Sequence, residues 1–167
     1  MTVTDVRKDT NALTMTIASE WDAPIASVWQ LWADPRKLER WWGPPTFPAT
    51  FVEHDLQPGG KVHYFMTGPE GQQHHGWWEV VAVDEPNRLD IVDGFADGDG
   101  KPNDDLPISK FVVTFTEMPS GSTRMVIETH FPSREGMEQM IEMGMDEGMS
   151  AAMGQIEGIL AADVATR

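Results

Sequence analysis

Apolar positions first alternate. Over residues 13–21, Leu13, Met15 and Ile17 oppose Thr14, Thr16 and Ala18, the period-two pattern of a half-buried strand. The period then lengthens, and Ile25, Val28, Trp29, Leu31 and Trp32 recur at helical spacing behind Asp22-Ala23-Pro24, a capping residue followed by a proline near the first turn. Asp34-Pro35 repeats the device, because Asp34 can accept free amides at the start of a helix and Pro35 has no amide to satisfy. A second short helix is expected over 35–42, ended by Gly43-Pro44-Pro45.

From 46 to 131 the pattern returns to short alternating runs, at 51–56, 62–66, 76–83, 89–92, 111–116 and 125–131. The breaks fall at Gln57-Pro58-Gly59-Gly60, Gly68-Pro69-Glu70-Gly71, Asp84-Glu85-Pro86-Asn87 and Pro119-Ser120-Gly121. Connections this short cannot hold crossover helices, so the strands form an antiparallel meander. The segment 93–107, rich in Gly and Asp, is expected to be a mobile loop, of which 94–100 would act as a lid near a cavity mouth. Beyond Ser133 the helical period resumes through Met137, Met140, Ile141, Met145, Met149, Met153, Ile156 and Leu160. A short helix over 133–142 and a long one over 145–162 follow. Gly144, Gly148, Gly154 and Gly158 each cost roughly 1 kcal/mol against Ala in a helix interior, unless another backbone packs closely there.

This order predicts an α+β helix-grip fold: a curved antiparallel seven-stranded sheet wrapped around a long C-terminal helix, with two short helices after the first strand. One domain covers 1–167, with its core over about 13–162. Curvature leaves a space between sheet and helix, and such a space is the default ligand site.

Alternation assigns Val52, His54 and Leu56 to the inward face of one strand and Val62, Tyr64 and Met66 to the same face of the next. Trp78 and Phe115 join them from later strands, and the helix presents Met145, Met149 and Met153. The candidate ligand-binding set is therefore Val52, His54, Leu56, Tyr64, Met66, Trp78, Phe115, Met145, Met149 and Met153. Methionine and aromatic side chains suit a deformable apolar pocket, and they also suit a plain core. His54 is the sharpest member, as a ligand hydrogen bond, a general base or a histidine satisfied within the core. Tyr64, the only tyrosine, would stand beside it.

Charge and composition narrow the partners. Twenty-seven acidic against 12 basic residues give a net charge of -15, which repels phosphate backbones and anionic lipid, so neither nucleic acid nor membrane is an expected partner. No apolar run approaches the about 18 residues of a membrane span. The first residues lack a basic, then apolar, secretion signal, so a cytoplasmic location is expected. There is no cysteine, hence no disulfide, thiolate nucleophile or cysteine-held metal. Among five histidines, adjacent His74 and His75 would point to opposite faces of a strand. No zinc, phosphate-loop, dinucleotide or nucleophile-elbow motif occurs, so no metal, cofactor or catalytic residue is assigned. In each of the doublets Trp41-Trp42 and Trp77-Trp78 one ring is expected to pack and the other to sit near the surface, where it would offer a homodimer contact.

Several strings occur in a telling order: Asp22-Ala23-Pro24 with Val28-Trp29, Trp32-Ala33-Asp34-Pro35 through Leu38 to Trp41-Trp42-Gly43-Pro44, Asp55-Leu56-Gln57-Pro58-Gly59-Gly60, Gly68-Pro69-Glu70-Gly71, and Glu142-Met143-Gly144-Met145 with Glu147-Gly148. Over roughly 13–160 the chain resembles the heat-shock-protein ATPase activator branch of the START-like (SRPBCC) superfamily. The resemblance implies a seven-stranded helix grip with an apolar cavity, in proteins that bind lipids, polyketides or other small hydrophobic molecules. Relatives often carry Trp after the Glu-Gly pair that opens the long helix, where this chain has Met149. The expected function is binding of a small apolar ligand without catalysis. Two alternatives stand beside it: a cyclase or aromatase-type enzyme using His54, Tyr64 and Glu53, and a module that contacts a chaperone ATPase.

Overall fold

The computed structural model describes residues 3–165, and of Val164 and Ala165 only the backbone; the outermost positions of the 1–167 domain lie outside the described residues. Eight strands form one antiparallel sheet in the order β1-β2-β8-β7-β6-β5-β4-β3. They are β1 (Val3–Asp9), β2 (Thr14–Trp21), β3 (Ala49–His54), β4 (Lys61–Thr67), β5 (Gln73–Asp84), β6 (Arg88–Ala96), β7 (Ser109–Glu117) and β8 (Thr123–His130). Helices α1 (Ile25–Ala33) and α2 (Pro35–Leu38) follow β2, and α3 (Arg134–Glu142), α4 (Met145–Met153) and α5 (Ile156–Ala165) follow β8. The helix-grip architecture is present, with one strand more than the seven expected. The added strand is β1, whose residues are mostly exposed and polar, so it lacks the apolar alternation that marks a half-buried strand.

The inner face of the sheet carries Met15 and Ile17 from β2, Leu89 and Ile91 from β6, Phe111 and Val113 from β7, and Met125 and Ile127 from β8, all buried. Against it stands an aromatic cluster centred on Trp32 of α1, with ring centroids 4.9 Å from Trp41, 5.6 Å from Trp42 and 6.1 Å from Trp78. The first two are edge-to-face, an arrangement that contributes roughly 0.5–1.5 kcal/mol per pair beyond burial. Both Trp41 and Trp42 are buried, contrary to the expectation that one would reach the surface. The cause is the length of α2, which ends at Leu38 instead of Trp42, so the two rings lie on a turn and not on opposite sides of a helix. Gly43 permits that turn, because a Cβ there would fall 2.0 Å from the Phe47 carbonyl oxygen. In the other doublet Trp78 is buried and Trp77 half-buried on the outer face.

Capping follows the sequence in one of two places. The Asp34 carboxylate accepts from the Arg36 amide at 2.9 Å and starts α2. At α1 the N-cap is Pro24, with no side-chain bond, so Asp22 does not cap it. The long terminal helix is two helices: α4 stops at Gly154 and α5 restarts at Ile156. Gln155 at the junction donates from its side chain to the Gly43 carbonyl at 2.7 Å, tying the break to the tryptophan turn. Upstream, Gly144 takes φ 84 and separates α3 from α4. Lys8 of β1 meets Asp146 of α4 at 2.7 Å, and Lys37 of α2 meets Asp163 of α5 at 2.8 Å, so both helices are moored to earlier elements by ion pairs.

Candidate functional site

A cavity of about 260 Å³ lies between the β4–β6 end of the sheet and the α3–α4 corner. Register explains its floor. Pairing sets Val62, Trp78, Asp93 and Ser109 in one row across β4, β5, β6 and β7, and Phe51, Tyr64, Gly76 and Phe95 in the next row across β3 to β6. Gly76 matters in the second row: a Cβ there would come within 2.4 Å of the Tyr64 ring and 2.5 Å of its oxygen, so the glycine lets the phenol lie across the strand. Phe51 stacks on Tyr64 at 5.1 Å from the other side. The roof is sulfur-rich, with Met140 and Met143 from the end of α3 and Met145 and Met149 from α4. Gly148 also lines the cavity, and a Cβ there would meet nothing within 4 Å. Among the described residues no other backbone packs on that glycine, so its helix cost is not offset.

The ten residues singled out from the sequence separate into distinct groups. Tyr64, Met66, Met145 and Met149 line the cavity. Trp78, Phe115 and Met153 are buried in the core and lie outside the lining. Leu56 is half-buried and packs on the core near the β3 edge. Val52 is 61% exposed and not inward at all. A register shift between Phe51 and Glu53 leaves Val52 unpaired and reverses the alternation, so Phe51 is the inward residue. His54 sits past that shift, half-buried, with Nε2 3.0 Å from the Trp32 carbonyl. It lies outside the cavity lining and is not brought beside Tyr64, since its partner on β4 is Val62 and Phe51 opposes Tyr64.

The ionisable group that sequence reasoning missed is Asp93. The strand expected to stop at 92 continues as β6 to Ala96, so Leu89, Ile91, Asp93 and Phe95 alternate along its inner side. That alternation was legible, but Gly94, Asp97, Gly98, Asp99 and Gly100 gave the segment the composition of a loop. Asp93 keeps some accessible surface because it faces the cavity, while protein closes round it elsewhere. Burial pushes its carboxyl up to about 7, against a smaller opposing effect from the Gly94 backbone N–H that bonds it. Burial and the neighbouring Asp93 also push the Tyr64 phenol well above its usual range, so it stays protonated. The Trp42 and Trp78 indole N–H groups face the Tyr64 oxygen and favour charge on it, yet among the described residues neither reaches hydrogen-bond geometry with a partner. Trp42 and Ser109 complete the polar rim that the sequence did not single out.

The remainder of the expected loop, 97–107, is fastened by the Asp97 amide donating to the Lys101 carbonyl and by the Asp97 carboxylate accepting from Asp99 and Lys101. Pro107 at its end lines the cavity. On the outer face, His63 Nε2 and His75 Nδ1 are 2.9 Å apart. Burial and the nearby His75 lower the His63 pKa. Among the described residues no three His, Asp or Glu side chains come together as a metal-binding group. No helix of the described residues is long and apolar enough to cross a membrane.

Comparison with known proteins places these features in a family. The family described as Activator of Hsp90 ATPase homolog 1-like protein matches residues 22–161. A solved protein of Mycobacterium smegmatis is 52% identical over 95% of this chain and 96% of its own, with a TM-score of 0.87. One of Arthrobacter aurescens is 46% identical over 96% of this chain and 93% of its own, with a TM-score of 0.92. A Staphylococcus epidermidis protein at 23% identity shares the fold, covering 96% of this chain and 95% of its own with a TM-score of 0.82. No curated protein matches the chain.

Proposed function

Because the chain belongs to the Activator of Hsp90 ATPase homolog 1-like family, a START-like fold, we propose that it is a small-molecule carrier or sensor that holds an apolar ligand in the cavity beneath α4. One observation carries the reading: a half-open space of about 260 Å³ walled mainly by apolar groups such as Met66, Met140, Met145 and Met149, with Tyr64, Asp93, Ser109, His74 and His75 as its few polar side chains. Binding sites characteristically combine a mainly apolar wall with a few convergent polar groups. The space is small, so the ligand is compact and not a long lipid chain.

The cyclase or aromatase alternative draws on the same Asp93, which titrates near neutrality as a general base should. It lacks a matched partner: Tyr64 is held protonated, and His54, the base expected from sequence, is outside the lining. Binding without turnover is therefore the better-supported reading.

Native mass spectrometry of the purified protein, with titration by 2-naphthol, a compact neutral dye, tests it. A co-purifying small molecule, or dye binding that Met149→Trp weakens at least about tenfold by filling the cavity, is the expected result. Dye binding unchanged in the filled variant would show that the cavity is not the site.

A further inference from the structure

Ionisable groups around the cavity are distributed unevenly. Among the described residues, Asp93 is the only Asp or Glu in its lining and no Lys or Arg lines it. Of the lining histidines, His75 bonds His63 on the outer face and exposed His74 lies 5.8 Å from the Phe47 ring, and the Asp93 carboxyl is governed by burial and the Gly94 backbone, not by either imidazole. The carboxyl is thus buried without a cationic partner, and the donor that lowers its pKa is the N–H of its own neighbour, Gly94. An unpaired buried carboxylate is costly, and a ligand that supplied the missing positive charge would remove that cost.

Around Asp93 stand the rings of Trp42, Tyr64 and Phe95, whose faces attract cations, and the polarizable methionines of the roof. Tyr64 is turned toward Trp42 and Trp78, whose N–H groups face its oxygen. The chain's net charge of -15 adds a field that draws cations toward every opening. A fatty acid or other anionic ligand would meet the opposite: no cation to pair with, and a carboxyl that repels it.

We propose that the cavity selects a compact hydrophobic amine, its ammonium group on the Asp93 carboxylate and its apolar body against Met145 and Met149. This deepens the carrier reading and rests on it. The ammonium donates hydrogen bonds to Asp93 and lies against the aromatic rings, and no bond is made or broken.

Three probes of equal size but different charge test the assignment: phenylpropylamine, phenylpropanol and phenylpropanoate, each titrated by calorimetry into the whole chain and into Asp93→Asn. The amine is expected to bind at least about tenfold tighter than the alcohol, the strength of a charge-assisted contact, and the carboxylate weaker than both. In Asp93→Asn the amine should fall to the level of the alcohol, while alcohol binding, changed by less than about threefold, shows that the cavity is intact. An alcohol that binds as tightly as the amine, or an amine preference that survives in Asp93→Asn, overturns the amine assignment and leaves the carrier reading standing. If none of the three binds, both fail.

Discussion

Replacing Asp93 by Asn should make the ligand-free protein more stable at alkaline pH and leave it unchanged at acid pH. In the folded chain the carboxyl titrates near 7, against an ordinary value of 3.8. Below about pH 4 both folded and unfolded chains hold the proton, so the group costs nothing. Between about 4 and 7 the unfolded chain gives up its proton while the folded chain retains it, and native stability falls as pH rises. Above 7 the penalty is complete, at most about 4 kcal/mol from the two titration points. Asp93 is half-buried and faces a cavity open to solvent, so screening removes part of this and the working figure is about 2 kcal/mol. For a chain of this size that is a rise in Tm of about 4 to 8 °C for Asp93→Asn at pH 8, shrinking to nothing at pH 4. Paired thermal melts of the two proteins from pH 4 to 8 measure it, and the difference between them cancels every other titrating group. A difference independent of pH, or a variant less stable at pH 8, would mean that the carboxylate is already well solvated or paired in the fold. The same substitution is expected to abolish the amine preference, so stability and ligand choice pull against each other at one position.

Gly76→Ala should destabilise the fold by about 1–3 kcal/mol, since the added methyl overlaps the Tyr64 ring, and chemical denaturation reads this directly. His54→Ala should cost about 1 kcal/mol by removing the bond to the Trp32 carbonyl. Its cavity-probe affinity should match wild type, and a clear loss of affinity would return His54 to the binding site. Gly148→Ala should add nearly 1 kcal/mol, because the methyl meets open space and the helix gains its intrinsic preference; a lower Tm would show that the space is not free.

Element order and turn chemistry were legible in the chain because each depends on near neighbours: alternation over six or seven residues, a proline behind an aspartate, a Pro-Gly break. What depended on longer range was not. Val52 reads as inward until the shift between Phe51 and Glu53 is known, and that shift arises from pairing with β4, not from anything local. Gly154 breaks the terminal helix where the periodicity runs on unchanged, and the break is held by Gln155 reaching the Gly43 carbonyl, 112 residues away in the chain. Asp93 was hidden by its neighbours: a run of Gly and Asp has the composition of a loop, while the cross-strand partners that make it a wall residue are Trp78 and Ser109. The cavity candidates that fell outside the lining did so for a related reason, since alternation distinguishes inside from outside but not a filled interior from an empty one.

The sheet order also sets a timetable for the chain as it is made. Strands β3 to β8 pair in sequence order and can zip up in turn, and β1 pairs with β2 as a separate hairpin. The hairpin joins the rest only through β8, the second partner of β2, where Ser19 bonds the Met125 carbonyl across 106 residues. Pairing over such a span is slow to form, since a long loop must close before any contact rewards it. During synthesis the β1–β2 hairpin therefore waits, with Met15, Ile17 and Trp21 uncovered, until nearly four-fifths of the protein has been translated. At a few to some 20 residues per second that is about 5 to 20 seconds in which this amino-terminal segment is the part most open to aggregation or to a holding chaperone.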